Sequence, residues 1–320
     1  MKKILLAVLT LGMFTAQAQT SDLSVENGTL KFSSIDIYES YADNPSNLSS
    51  IQARATSSPA VTTLKEVGVT SDEDIPEFLQ SVLNSDNIFT IGSYLIKIDV
   101  VNNRALVINS SVANAYTDLV NNNTSSANML MMSDDEQNAL EVLRAIDGAT
   151  LTVNDYKTAT PEISLRWPWN RCNGARGGAS QKNVDVWDKA VDKSSDCPDL
   201  SVLYGADNKI VYQKFIFYFS LQAKMKSLRG CSSTNWILVP THDALLKLDG
   251  TVRYVKVNAC RSETNDSRND GYQGNEINWR AYSGSRALSK YDFTVDFRIK
   301  HTWETGAYHG PFHYNIMYGY

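Results

Sequence analysis

Two stretches of the chain alternate apolar and polar residues with a period of two over an unusual length. From Val211 to Met225, one side carries Val211, Phe215, Phe217, Phe219, Leu221, Ala223 and Met225. The other carries Tyr212, Lys214, Ile216, Tyr218, Ser220, Gln222 and Lys224. Successive side chains of a strand point to opposite faces, so the pattern predicts one strand with one buried face. At ~3.3 Å per residue that strand would run for about 50 Å, far beyond the usual length. Tyr291 to Trp303 repeats the device, with Tyr291, Phe293, Val295, Phe297, Ile299, His301 and Trp303 set against Asp292, Thr294, Asp296, Arg298, Lys300 and Thr302. Shorter strands are expected at Asn235 to Val239, Thr251 to Val257, Glu276 to Tyr282 and Phe312 to Tyr320. Alternation with one polar face implies antiparallel strands packed on a second layer, which is a β-sandwich or a strongly curled sheet. Tyr314, Ile316, Tyr318 and Tyr320 also resemble the last strand of an outer-membrane barrel. A barrel needs at least eight strands of ~10 residues, and only two or three of these reach that length. The ordinary final strand of a sheet is the favoured reading.

The first half has a different texture. Gly28 to Phe32 reads as a short strand and Ser34 to Ala42 as a helix capped by Ser33 or Ser34. Residues 43–73 are rich in Ser, Thr, Asn and Pro, which predicts a long loop or partial disorder. Ile75 to Leu83 reads as a helix with Ile75, Phe78, Leu79, Val82 and Leu83 on one stripe. Ile88 to Ile91, Tyr94 to Val100 and Arg104 to Ile108 read as strands, the last two joined by a tight Asn102-Asn103 turn. Further helices are expected at Val112 to Val120 and Asp134 to Ile146, the second opening on acidic residues as its dipole prefers. The fold class is therefore α+β: a small N-terminal α+β domain over 19–150, followed by a mainly antiparallel, β-sandwich-like domain over 151–320.

The start of the chain changes the setting. Met1-Lys2-Lys3 is followed by an apolar run from Ile4 to Phe14 and by Ala16-Gln17-Ala18, a small-x-small cleavage motif. That layout predicts a secretory signal peptide over 1–18, because the apolar part is too short for a membrane helix. Cleavage between Ala18 and Gln19 would leave 302 of the 320 residues and take the formal charge from −5 to −7 with the loss of Lys2 and Lys3. The mature chain is then expected to be secreted or periplasmic, with no lipid-anchor cysteine, since the first cysteine is Cys172. An acidic chain without a basic cluster argues against nucleic acid as a partner, and no later apolar stretch predicts a transmembrane helix.

In an oxidising compartment the even set Cys172, Cys197, Cys231 and Cys260 predicts two disulfides. Sequence leaves three pairings open. Neighbouring strands favour Cys231 with Cys260, leaving Cys172 with Cys197, and each closed loop would stabilise by about 3 kcal/mol. His309, His313 and Glu304 are the metal candidates; strand alternation puts His301 and His313 on opposite faces, and the spacing fits no zinc signature. The favoured expectation is therefore no metal and no cofactor. The methionines Met129, Met131 and Met132 could suit soft copper, but the better reading is a greasy loop covering a core edge. The glycine-rich run Gly174 to Gly178 lacks the Lys-Ser/Thr ending of a phosphate loop. There is no Gly-x-Ser-x-Gly elbow and no His-Glu-x-x-His helix, so no catalytic residue is nominated. Trp167, Trp169 and Tyr282 are the candidate ligand-binding residues, because exposed rings in loops can stack on sugar faces.

The segment from Asn208 to Ser227, with Arg171-Cys-Asn-Gly-Ala175, Asp185-Val-Trp-Asp188 and Ile88 to Lys97, resembles uncharacterised secreted proteins of Bacteroidota. The resemblance implies placement in the cell envelope or outside the cell and brings no assigned activity. The expectation is a secreted, non-catalytic binding or structural protein with an extracellular or envelope partner, a glycan among the candidates. The alternatives are an extracellular carbohydrate-active protein or hydrolase, and an assembling adhesin or toxin-like β protein.

Overall fold

The computed structural model describes residues 22–58, 61–66, 75–102, 104–133, 139–148, 153, 172, 179–188, 203–230, 236–238, 244–302 and 304–320. The stretch read as a signal peptide lies outside these residues. The N-terminal lobe is built on one six-stranded sheet whose order follows the chain: β1 (Leu23–Glu26), β2 (Thr29–Phe32), β3 (Ile88–Ile91), β4 (Tyr94–Asp99), β5 (Arg104–Asn109) and β6 (Leu130–Ser133). All neighbours are antiparallel except β2 and β3. A parallel pair needs a long crossover, and here α1 (Ile35–Ala42), α2 (Leu48–Thr56) and α3 (Glu77–Val82) lie within it. The expected loop over 43–73 thus contains α2. Its apolar positions are only Ile51 and Ala55 on the buried side, too sparse to outweigh the Ser and Asn around them in sequence.

Ser34 caps α1 by accepting from the Ile37 N–H at 3.2 Å, and Ile35, Tyr38 and Ala42 face inward. The stripe expected on α3 is buried throughout, from Ile75 to Leu83. The other α-helices of the lobe among the described residues are α4 (Ala115–Val120) and α5 (Ala139–Asp147). Met129 and Met132 are buried in different apolar clusters, while Met131 is exposed beside Arg104, so the three sulfurs do not converge on a copper site.

The C-terminal lobe is a sandwich. One sheet runs β10 (Trp236–Leu238), β9 (Phe219–Gly230), β8 (Leu203–Lys214), β7 (Ser180–Asp188), with β13 (Glu276–Gly284) also paired to β9. The other runs β12 (Glu263–Gln273), β11 (Ala244–Lys256), β14 (Leu288–His301), β15 (His309–Tyr318). The core between them holds Phe293, Val295, Phe297 and Ile299 of β14, with Leu246, Leu248, Trp279, Tyr314 and Ile316. β14 keeps the alternation read from sequence from Tyr291 to His301, and Trp303 lies outside the described residues. At the centre of β11, Gly250 has no side chain because a Cβ there would meet the Thr294 carbonyl at 2.7 Å and the Trp279 indole at 2.8 Å. The Tyr314 strand is one edge of this open sandwich.

The long strand expected from Val211 to Met225 is instead two. The chain reverses between β8 and β9, with the Phe215 N–H donating to the Tyr218 carbonyl at 2.8 Å across a two-residue turn of Ile216 and Phe217. After the turn Phe219, Leu221, Ala223 and Met225 face the sandwich core as expected, but before it Tyr212 and Ile210 do so rather than Val211. Two-residue hairpin turns normally require Gly, Asn or Asp at positive φ. Ile216 holds φ +60°, an uncommon conformation for a β-branched residue. The compensation comes from the other lobe. Phe215, Ile216, Phe217 and Tyr218 are all buried in the N-terminal core, where Phe217 meets Phe89 edge-on and Tyr218 stacks on Phe78 with centroids 4.6 Å apart. Each such side chain contributes roughly 1.5–3 kcal/mol on burial. The Tyr38 hydroxyl donates to the Phe217 carbonyl at 3.0 Å, satisfying a turn carbonyl that would otherwise be buried without a partner.

Polar contacts close the seam around this plug. Asp43 Oδ1, just past α1, accepts from the backbone N–H of Ser285 at 2.7 Å and from its hydroxyl at 2.9 Å. Arg286 pairs with Glu39 and with Glu141, and Arg280 reaches Glu77 at 3.2 Å. Burial works to raise the Glu77 pKa, but Lys65 and Arg280 outweigh it and hold the carboxyl below its ordinary range.

The disulfide differs from the pairing favoured by sequence. Cys172 is bonded to Cys260, with Cα atoms 5.5 Å apart. The neighbour argument fails because β10, which follows Cys231, pairs with β9, whereas β11, which precedes Cys260, belongs to the opposite sheet. Cys172 instead lies along the end of β11, its N–H donating to the Val257 carbonyl at 3.2 Å. Cys197 and Cys231 lie outside the described residues. The bond spans 88 residues. A link of that span stabilises by about 4–5 kcal/mol in the chain-entropy model.

Two measurements follow from this architecture. Non-reducing peptide mapping of the folded protein should recover a Cys172–Cys260 cross-linked peptide; a Cys231–Cys260 peptide in its place would contradict the structure. Tyr38→Phe removes only the hydroxyl that serves Phe217 and should lower unfolding stability by about 1–3 kcal/mol in urea titration, as expected for orphaning a buried carbonyl. An unchanged midpoint would show that the turn does not depend on Tyr38.

Candidate functional site

The outer face of the four-stranded sheet is largely polar, with exposed Met317 of β15 an apolar member of the Arg253 row. Register alone sets its rows. Asn265, Arg253 and Asp292 stand side by side across β12, β11 and β14, and the next row holds Ser267, Thr251, Thr294 and Asn315. A third row holds Asn269, Asp249, Asp296 and His313. A cleft of about 450 Å³ opens here, lined by Thr251, Val252, Arg253, Asn265, Asp266, Ser267 and Asp292. Its inner wall is rigid because the opposite faces of β11 and β14 are the sandwich core itself.

The polar groups are held in place rather than left to solvent. Asp292 Oδ2 accepts from Arg253 Nε at 3.1 Å and from a terminal guanidinium nitrogen at 3.0 Å, while its other oxygen accepts from the Asn315 amide at 3.0 Å. That amide also donates to Thr294 at 2.7 Å. The Arg253 guanidinium lies 4.1 Å from the centre of the Tyr320 ring, a cation–π distance. The Tyr320 hydroxyl donates to Glu263 at 2.6 Å. Partial desolvation, and then that bond to Glu263, push the Tyr320 phenol up to about 12. The site therefore presents a partly exposed aromatic ring, a guanidinium, a carboxylate, two hydroxyls and an amide on one rigid surface. Such a set can exchange hydrogen bonds with a polyhydroxylated ligand.

The residues nominated from sequence fall elsewhere. Trp167 and Trp169 lie outside the described residues. Tyr282 is not a platform for sugar: it is buried, packs on Tyr254 with centroids 5.1 Å apart, and donates its hydroxyl to the Arg286 carbonyl. Its position at a strand end suggested exposure, but the N-terminal lobe and β11 cover that end. Glu304, His309 and His313 do not converge. Glu304 is buried and accepts from the His301 N–H at 2.8 Å while facing His309 Nε2 at 3.0 Å. His313 points outward and pairs with Asp296 at 2.8 Å. His301 is fully buried against Tyr204. Among the described residues no group of three or more His, Cys, Asp or Glu is placed to hold a metal ion.

Sequence reasoning missed Arg253, Thr251, Asn265 and Ser267. The first two occupied the polar positions of a strand and carried no other signal. The others lie on β12, whose eleven residues Glu263–Gln273 include no aliphatic side chain and so show no alternation to detect.

Burial works to raise the Glu304 pKa, but the hydrogen bonds from His309 and the His301 backbone, together with the charges of both imidazoles, bring the net shift below the ordinary range. A carboxyl with a depressed folded pKa contributes stability that is complete above the ordinary carboxylate pKa and is lost as pH falls through the folded value. Glu304→Gln should therefore flatten the acid limb of the stability profile below about pH 4.3, the ordinary Glu pKa; pH-dependent urea unfolding of variant and parent checks this, and identical acid limbs would contradict it. No protein family model matches this chain, and no curated protein or solved structure is found similar to it, so its function rests on the chemistry of the site.

Proposed function

We propose that the protein is an exported, non-catalytic binding protein of the cell envelope or extracellular space, and that the polar face of its four-stranded sheet takes a glycan. The observation that carries the reading is the Arg253–Asp292 pair in a cleft with Thr251, Asn265 and Ser267, with Asn315 bonded to Asp292 and the Tyr320 ring against Arg253. Sugars are recognised by fixed planar donors and acceptors beside an aromatic ring. Here the sheet fixes both, so little ordering is needed on binding. No helix among the described residues is long and apolar enough to cross a membrane, and the Cys172–Cys260 bond is compatible with an oxidising compartment. The signal-like first eighteen residues and the resemblance to secreted Bacteroidota proteins support export.

The test is binding to an immobilised panel of bacterial and host polysaccharides. Arg253→Ala and Tyr320→Ala should each weaken retention on the bound glycan by about tenfold, on the scale of losing a charge-assisted hydrogen bond or a ring contact. Their melting temperatures should stay close to that of the parent, since both residues lie on the solvent side of the sheet. No binding to any glycan in the panel, or binding that neither substitution weakens, would overturn the proposal.

A further inference from the structure

Strand β12 closes one side of the four-stranded sheet, and among the described residues no strand pairs with its outer edge. The other end of that sheet is better protected: β15 packs beside β7, with the Asn315 N–H donating to Gln181 at 2.8 Å and the Tyr314 hydroxyl to Asp185 at 2.9 Å. β12 is eleven residues long, regular in register with β11 throughout, and exposed along nearly its whole length. An open edge of that length is a template for another strand. Natural edges are commonly guarded by charges on the inward face, and β12 carries Asp266, Arg268 and Asp270 there, opposite Val252, Gly250 and Leu248.

The order of those charges is self-complementary. In an antiparallel pair centred on Ser267, Asp266 faces Arg268 of the second copy and Arg268 faces its Asp266. On the outer face Asn265 meets Asn269 twice, amide against amide. No like charges fall opposite one another in this register. Moving the centre by one residue, to Asp266 or Arg268, sets identical charges face to face. We propose that β12 pairs antiparallel with β12 of a second copy of this chain about a twofold axis at Ser267, joining the two four-stranded sheets into one. Inward charges exclude unrelated strands, and their pattern admits this one. Asn265 and Ser267 also line the cleft, so the axis sets the two clefts side by side on one continuous face. Bivalent glycan capture by that face rests on the binding proposed above, whereas the pairing does not.

Sedimentation equilibrium of the purified full chain across about 1–100 μM tests the pairing by mass alone, without any glycan. A dimer is expected. Asp266→Arg creates two Arg–Arg oppositions across the axis, Arg268→Asp creates two Asp–Asp oppositions, and each should weaken dimerisation by about tenfold. Combining the two substitutions restores opposite charges in both pairs and should restore the dimer, which a merely misfolded single variant could not explain. A monomer throughout that range, a dimer indifferent to both single substitutions, or a double variant no tighter than the singles would overturn the proposal.

Discussion

The tip of one hairpin is buried in the core of the other lobe, and the two halves of the molecule are held together through it. Phe215, Ile216, Phe217 and Tyr218 belong by sequence to the sandwich and by packing to the N-terminal core. Nothing in their chemistry makes a turn. The reversal persists because leaving it would expose two phenylalanines, an isoleucine and a tyrosine while opening apolar space around Tyr38, Phe78 and Phe89. An isoleucine at positive φ is disfavoured by roughly 1–2 kcal/mol, a modest sum beside that burial. The ion pairs of Arg286 with Glu39 and Glu141, and the clasp of Asp43 on Ser285, then fix the angle at which the lobes meet. Asp43 sits so close to Gly284 that a Cβ there would come within 2.7 Å of its carboxylate.

This fixation serves the proposed site. β8 and β9 run from the plug into the sandwich, where Tyr212 accepts from the Leu288 N–H at 2.8 Å at the start of β14. β14 in turn carries Asp292 and Thr294 outward on the face opposite Phe293 and Val295. A continuous, tightly packed path thus connects the N-terminal core to the polar sheet. The two lobes then act as one rigid support, and a surface ligand meets groups whose positions are already settled.

How much of this was legible in the sequence depended on whether a local pattern had a local cause. β14 was legible because its alternation reflects one sheet with one buried face. The stripe of α3 and the Ser34 cap of α1 were legible for the same reason. The plug was not. Residues 215–218 form one apolar run because every residue of the turn is buried, so the usual polar or glycine signal is replaced by apolar side chains that answer to a distant core. The disulfide failed similarly, since strands adjacent in sequence entered different sheets. Of the site, only the polar side of β14 could be read in advance. β12 offers no hydrophobic signal at all, and Tyr320 gains meaning only when Arg253 is brought beneath it.

Exchanging the plug for a good turn separates burial in the other lobe from local turn preference. Replacing Ile216 and Phe217 with Asn and Gly supplies the favoured residues of a two-residue hairpin while removing the buried side chains. Calorimetric unfolding of parent and variant then weighs local turn preference against burial in the other lobe. One cooperative transition is expected for the parent and, for the variant, a lower melting temperature with separate unfolding of the two lobes. A variant that melts in one transition at the parent's temperature or above would contradict that expectation.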